Sequence, residues 1–350
     1  MSRGSELRLG TRGSPLALWQ ANTVAVRIAQ TGGPSCRIIT IKTSGDQLQN
    51  APLSEAGGKR LFVKEIEDAL IRNDIDIAVH SSKDMPVVLP DGLTIGAVLP
   101  REDPRDAIIL PAVSSQLSAL SPQPSALSPD ASALGSQPSA LSSVAALAAA
   151  LGTAPVFGTG SVRRIAQLSR LLPNARFAPI RGNLDTRLRK LDAADYDALV
   201  LAAAGLHRLG FASRISFALP VDACVPAPGQ GIVAIEVRTS DLDSRAIVAR
   251  VDDEWASAAL MAERAVVEAL GGGCQTPIGA LALPSGTDVI DLTAVVIALD
   301  GSRVIRAGGR GSRREASAMG ARVAAELLSD GAADILSEAN KAQSAGRHQP

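Results

Sequence analysis

The 350-residue sequence predicts an α/β protein: two doubly wound domains either side of a hinged cleft, then a smaller C-terminal α+β domain. Three observations carry this. Short apolar runs alternate with segments of helical period, the arrangement of a largely parallel sheet covered by helices. The alternation restarts after "REDPRD" (101–106). A Pro/Gly-rich crossing, "PAPGQGIVAIEVR" (226–238), ends in one more strand. The domain expectation is therefore 1–103 with 229–247, then 104–228, then 250–350.

In the first unit, "ELRLGT" (6–11) reads as a strand and residues 14–29 as a helix with Ser14 as its cap and Pro15 at its first position. "CRIITIKT" (36–43) is a second strand. Residues 59–73 repeat Leu61, Ile66, Ala69 and Leu70 at helical spacing. "DIAVH" (76–80) and "LTIGAVL" (93–99) complete the unit. The second unit takes strands at 107–110, 154–158, 176–180 and 197–202, with helices at 161–172, 183–193 and 204–210. A long helix from about 250, strands at 292–299 and 302–311, and helices to about 340 form the third. Residues 111–150 repeat "SAL" at 118, 125, 132 and 139, but Pro122, Pro124, Pro129 and Pro138 forbid a continuous helix. That stretch reads as a disordered, repeat-expanded surface loop.

Composition narrows the function. With 46% hydrophobic and 20% charged residues, the chain has ample core. Outside 111–150 no run of eighteen uncharged apolar residues occurs, so no membrane span is expected. "MSRGSELRLGTRGSP" has no apolar leader core, and Cys36, Cys224 and Cys274 are scattered, as in a reducing cytoplasm. Net charge is zero and there are one Tyr and two Trp, which disfavours a nucleic-acid surface. His80, His207 and His348 are too dispersed for a zinc site. No phosphate-binding Gly-x-x-x-x-Gly-Lys loop is present.

Of the 35 basic residues, 29 are Arg and only six Lys. Arginine forks grip carboxylates bidentately where ammonium groups cannot. Several basic residues fall where ligands of open α/β sheets bind, at strand-to-helix turns: Arg12 in "TRGSP", Lys83 in "DIAVHSSKDMP", Arg163 and Arg164 in "GTGSVRR", and Arg181 in "IRGNLD". Two arginines in a first helical turn oppose the helix dipole, so another interaction must need them there. Together these positions predict a cleft for a ligand with several carboxylates or phosphates. Arg189 reads as solvated.

"GGGCQTP" (271–277) places a single thiol after three glycines. Free cysteines are usually small core residues. A run of glycines instead suits close approach to another surface, as an arm reaching into a cleft.

The motifs "TRGSPLALWQA", "GGKRLFVKEIEDAL", "DIAVHSSKDMP", "REDPRDA", "GTGSVRR", "RGNLDTRL", "YDALVLAAAGLHRLG", "PAPGQGIVAIE" and "GGGCQTPIG" occur in one order. On them the chain resembles the porphobilinogen deaminase (hydroxymethylbilane synthase) family, over all but 111–150 and the last few residues. The resemblance implies two periplasmic-binding-protein-like domains and a transferase of porphyrin and heme biosynthesis. It implies a dipyrromethane cofactor attached through Cys274. Four porphobilinogens would add head to tail with loss of ammonia, and hydrolysis would release a linear tetrapyrrole. It makes Asp84 the catalytic carboxylate beside the developing cation. Ser81, Lys83, Thr159, Ser161, Arg163, Arg164, Arg187 and Gln230 would bind the cofactor; Arg12, Ser14, Arg181 and Arg208 the substrate. Lys59 would lie on a mobile loop, and a separate uroporphyrinogen III synthase would act downstream.

Gly160, Ser44, Arg60 and His207 depart from residues frequent in that family. Two other readings compete: a hinged carboxylate-binding protein without enzymatic activity, and a thiol hydrolase using Cys274 with His80 as base.

Overall fold

A computed structural model describes residues 6–47, 62–112, 147, 151–273 and 276–345. Lys59, Arg60, Cys274, His348 and nearly all of the 111–150 stretch lie outside the described residues.

Two five-stranded sheets share one topology. The first runs β2 (Ser35–Thr40), β1 (Glu6–Thr11), β3 (Ile77–Ser81), β10 (Val233–Arg238), β4 (Leu93–Val98). The second runs β7 (Arg176–Ala178), β6 (Val156–Gly158), β8 (Ala198–Ala202), β5 (Asp106–Ile109), β9 (Phe217–Ala218). In each, the fourth strand is delivered by a crossing from the other sheet and pairs antiparallel with both neighbours. The other described ladders are parallel. The two crossings run side by side: the Glu102 amide donates to the Gly231 carbonyl and the Leu99 amide to the Val233 carbonyl, both at 3.0 Å.

A third sheet, β11 (Ile278–Pro284), β12 (Val289–Ile297) and β13 (Val304–Ser312), is an antiparallel meander. It is covered by helices Glu254–Ala269, Ala316–Ser329 and Ala332–Ala345 around Val266, Ile278, Leu292, Val296 and Leu327. β11 was not anticipated, because "IGALALP" is too short and uniformly apolar to separate from the end of a helix. β9 and helix Leu242–Val248 were also missed; the first has two residues and pairs only through tertiary context.

The cap of the first helix is the one the sequence predicts. The Ser14 hydroxyl accepts from the Ala17 amide at 3.3 Å with Pro15 at the first helical position. Ser161 caps helix Val162–Leu171 and Asp253 caps Glu254–Ala269. Such caps contribute about 1 kcal/mol each.

One ion pair joins all three sheets at the crossings. Arg101 donates through Nε to the Gln230 carbonyl at 2.9 Å and through Nη1 and Nη2 to Glu263. Glu263 has no exposed surface, and also accepts from the Gly229 amide at 2.6 Å and the Ala282 amide at 2.8 Å. One residue of each crossing, the long C-terminal helix and β11 therefore meet at one carboxylate. Removing one partner of a buried pair leaves the other uncompensated, at about 3–5 kcal/mol. Arg101→Met should lower stability by about that amount in denaturant unfolding. A loss below about 1 kcal/mol would show that the junction is not held by this pair.

Candidate active site in the inter-sheet cleft

The site grows from the carboxyl end of β3. That strand is buried through Val79 and His80 and runs into a single 3₁₀ turn, Ser82–Asp84. The turn exposes Asp84 and leaves Lys83 half-buried. Behind it His80 faces Glu236 of β10 at 3.1 Å, both buried, so His80 is engaged within the sheet. Ser81 is held by the Gln20 amide at 2.9 Å. Gln20 was missed although the sequence carried a signal: it shares the buried face of its helix with Ala17, Ala21, Val24 and Ile28.

Across the cleft, Thr159 and Ser161 form the turn between β6 and helix Val162–Leu171, the Thr159 hydroxyl accepting from the Ser161 amide at 3.3 Å. Arg163 and Arg164 follow, 4% and 7% exposed. Both converge on Asp106, the first residue of β5, which has no exposed surface. Arg163 Nη1 donates to Asp106 Oδ2 at 2.7 Å and to the Val225 carbonyl at 2.7 Å. Arg164 donates Nε to Asp106 Oδ1 at 2.9 Å and Nη1 to the Val200 carbonyl at 2.9 Å, with Nη2 at 2.7 Å from Asp106 Oδ1. This carboxylate explains the tolerated dipole penalty. Burial alone would raise its pKa, but the two guanidiniums and the Gln230 amide hold it far below the usual carboxylate range. Asp106 was missed: in "REDPRDAIIL" an Asp heading an apolar run looks like an ordinary turn residue.

Gln230, 1% exposed, links the two walls. Its amide nitrogen donates to Asp106 Oδ1 at 2.9 Å and to the Pro104 carbonyl at 2.7 Å, and its oxygen accepts from Lys83 Nζ at 3.4 Å. Desolvation, with repulsion from Arg164 and Arg163, lowers the Lys83 pKa to about 8 despite the attraction of Asp84 and Asp106. Arg187 is bound at Nε to the Gly182 carbonyl at 2.9 Å. Burial and the neighbouring Arg164 and Arg181 pull its pKa to about 10, against Asp84, so it stays cationic at neutral pH. Among the described residues, no carboxylate lies within ion-pair distance of Lys83, Arg181 or Arg187.

The structure thus brings Lys83, Asp84, Arg163, Arg164, Arg187 and Arg181 beside one another, ties Gln230 to them through Lys83 and Asp106, and sets Ser81, Thr159 and Ser161 at the adjoining strand ends. Three predicted substrate residues have other partners. Arg12 is paired with Asp46 and lies 4.3 Å from the Phe62 ring centroid. Ser14 caps its helix. Arg208 donates to the Gly231 carbonyl at 2.7 Å and stands 5.5 Å over Trp19; burial draws its pKa to about 10. Arg189 is solvated, beside Asp185 at 3.7 Å. The departures fit locally: Ser44 donates to Glu65, His207 Nδ1 lies 3.0 Å from Glu102, and a Cβ at Gly160 would meet nothing nearer than 3.9 Å.

A Lys83 pKa below its unfolded value means that the unfolded chain binds more protons between about pH 8 and pH 10.5, so stability should rise with pH across that window. Lys83→Met should lack that rise and melt about 2 °C or more higher at pH 7. Thermal unfolding of both proteins from pH 7 to 10.5 measures this; parallel curves would refute the buried charge.

The first two sheets and the crossings match the family model for "Porphobilinogen deaminase, dipyromethane cofactor binding domain" over residues 7–246, and residues 257–329 match "Porphobilinogen deaminase, C-terminal domain". The chain is 42% identical to the porphobilinogen deaminase of Acidithiobacillus ferrooxidans over 337 residues, 96% of this chain and 99% of that one. It is 40% identical to that of Geobacter metallireducens over 334 residues, 95% and 94%. Among solved structures, immunogenic lipoprotein A from Vibrio vulnificus aligns at 12% identity and TM-score 0.38, covering 70% of this chain and 93% of that one. The Bordetella pertussis BvgS VFT2 domain aligns at 16% and 0.37, covering 71% and 86%. On the two family models and the near full-length identity, the chain belongs to the porphobilinogen deaminase family.

Proposed function

We propose that this protein is a transferase that joins four porphobilinogen molecules head to tail, with loss of ammonia, on a dipyrromethane attached through Cys274, and releases hydroxymethylbilane by hydrolysis. The observation that carries the reading is one carboxylate, Asp84, exposed among cations that no described carboxylate neutralises. A polyanionic ligand would neutralise that wall, and the donor set fits the acetate and propionate groups of linked pyrroles. Lys83, Arg187 and the donors of Arg163 and Arg164 not turned to Asp106 are the groups to hold a dipyrromethane, with Ser81, Thr159, Ser161 and Gln230 shaping the turns beneath it. When bound, the dipyrromethane supplies the nucleophilic pyrrole carbon at the end of an anchored chain.

The chain's own residues do the rest by charge and position. Arg181, Arg208 and Arg12 receive the carboxylates of incoming porphobilinogen; Arg12 then trades Asp46 for substrate. Asp84 is the only acid, and the one exposed residue, of the 3₁₀ turn Ser82–Asp84 after β3. Its carboxylate accepts pyrrole N–H hydrogen bonds and lies ready for the cation left on substrate when ammonia departs. That is differential stabilisation of a charge present only late in the reaction. It also takes up and returns the protons that the substitution moves. Ser14, as helix cap, orients amides at the substrate end of the cleft. Gly271–Gly273, with Gly271 at φ +62°, would supply the backbone freedom that such an attachment needs. Cyclisation of the linear product falls to a separate uroporphyrinogen III synthase acting in the cytoplasm.

Intact mass of the purified protein, with peptide mapping across 271–277, should show an adduct of two linked pyrroles on Cys274. An unmodified thiol in protein supplied with porphobilinogen would overturn the assignment. Asp84→Asn should keep the adduct and the fold while turnover falls by at least about 100-fold, in the range of lost acid–base and charge stabilisation. Turnover near the parent rate would remove Asp84 from the chemistry.

A further inference from the structure

Asp106 accepts from Arg163, Arg164 and Gln230 and has no exposed surface of its own. A carboxylate has no donor, so it dictates the orientation of everything bound to it. Gln230 could present either end of its amide to the cleft. With its nitrogen committed to Asp106 and Pro104, only its oxygen can face Lys83, where an ammonium needs an acceptor. Arg163 directs Nη1 inward to Asp106 and Val225, which leaves Nε and Nη2. Neither of these is among the orphaned buried atoms of the described residues. Arg164 turns one hydrogen of each nitrogen inward, leaving one on Nη1 and one on Nη2. Cys224 closes the inner side, its Sγ 3.4 Å from Asp106 Oδ2. Burial beside that anion pushes the thiol up to about 12, so it adds no competing charge.

We infer that Asp106 is the positioning residue of this wall: one buried carboxylate sets which donors of Arg163 and Arg164, and through Gln230 which direction of Lys83, are presented to ligand carboxylates. The inference rests on the proposed deaminase reading. Its balance of charge is specific. Two guanidiniums share one carboxylate, so one net positive charge remains for ligand, preorganised at no cost when ligand arrives. The groups facing Lys83 are Asp84 on its own turn, Arg163 and Arg164 on the opposite helix, Asp106 on β5 and Gln230 on the crossing.

The test is the rate at which full-length, adduct-free protein acquires the two-pyrrole adduct from porphobilinogen, followed by intact mass from pH 6.5 to 9.5. Asp106→Glu keeps the charge but displaces the carboxylate by one methylene. It should fold and load at least about tenfold more slowly, the loss expected of misdirected charged hydrogen bonds. Asp106→Asn removes an anion that favours the Lys83 cation, so the alkaline fall in loading should move to lower pH by about half a unit or more. A merely structural Asp106 would reduce the active fraction equally at every pH. Folded variants with parental loading, or with loss uniform in pH, overturn the inference. If neither Asp106 variant folds, Gln230→Met decides: it changes no charge and should move the same alkaline limb, and an unmoved limb overturns the relay. A parent protein that never acquires the adduct would instead sink the deaminase reading and would be seen before any variant is compared.

Discussion

The cleft depends on one carboxylate that no solvent reaches. Burying Asp106 is feasible only because Arg163, Arg164 and Gln230 are already directed at it, and burying the two arginines is feasible only because Asp106 is there. Each member of such a group would be costly alone. Together they convert flexible side chains into a fixed wall whose outward donors have defined directions. The strand ends contribute the framework: β5 places Asp106, β6 and its capped helix place the arginines, and the second crossing places Gln230.

The same logic operates at the mechanical centre. Arg101 and Glu263 tie two crossings, a helix and β11 at one point. The third sheet's helix also reaches the first domain, Arg264 donating to the Pro86 carbonyl at 2.9 Å, and its last strand reaches the second, Arg306 donating to the Asp222 carbonyl at 2.8 Å. Glu263 itself lies on helix Glu254–Ala269, whose C-terminal end leads directly into Gly271–Gly273.

Electrostatically, a chain of zero net charge sets aside a local excess of cations. Elsewhere its arginines are mostly neutralised, as at Asp76, Asp103, Asp192 and Asp241. In the cleft, Lys83, Arg181 and Arg187 have no such partner among the described residues, and mutual repulsion with burial depresses Lys83 and Arg187. That is a state poised for anions: each carboxylate bound relieves a repulsion the protein already contains. Asp84 stands exposed among them.

Much of this was legible in the chain. Helical and strand periods, the Ser14 cap, the restart after 106 and the return crossing at 226–238 follow from local stereochemistry, which a sequence states directly. So did the strand-end placement of Lys83, Asp84, Arg163, Arg164 and Arg181, because sheets of this kind put their ligands there. Tertiary structure alone decided which charges are neutralised. Arg163, Arg164 and Asp106 stand 57 and 58 residues apart, and Arg101 and Glu263 stand 162 apart. No local pattern marks such partners, since any of the 35 acidic residues could have served. The antiparallel fourth strands, the two-residue β9 and the uniformly apolar β11 were likewise settled by what lay beside them. Sequence determined where the cations would stand; packing decided which of them are left to bind.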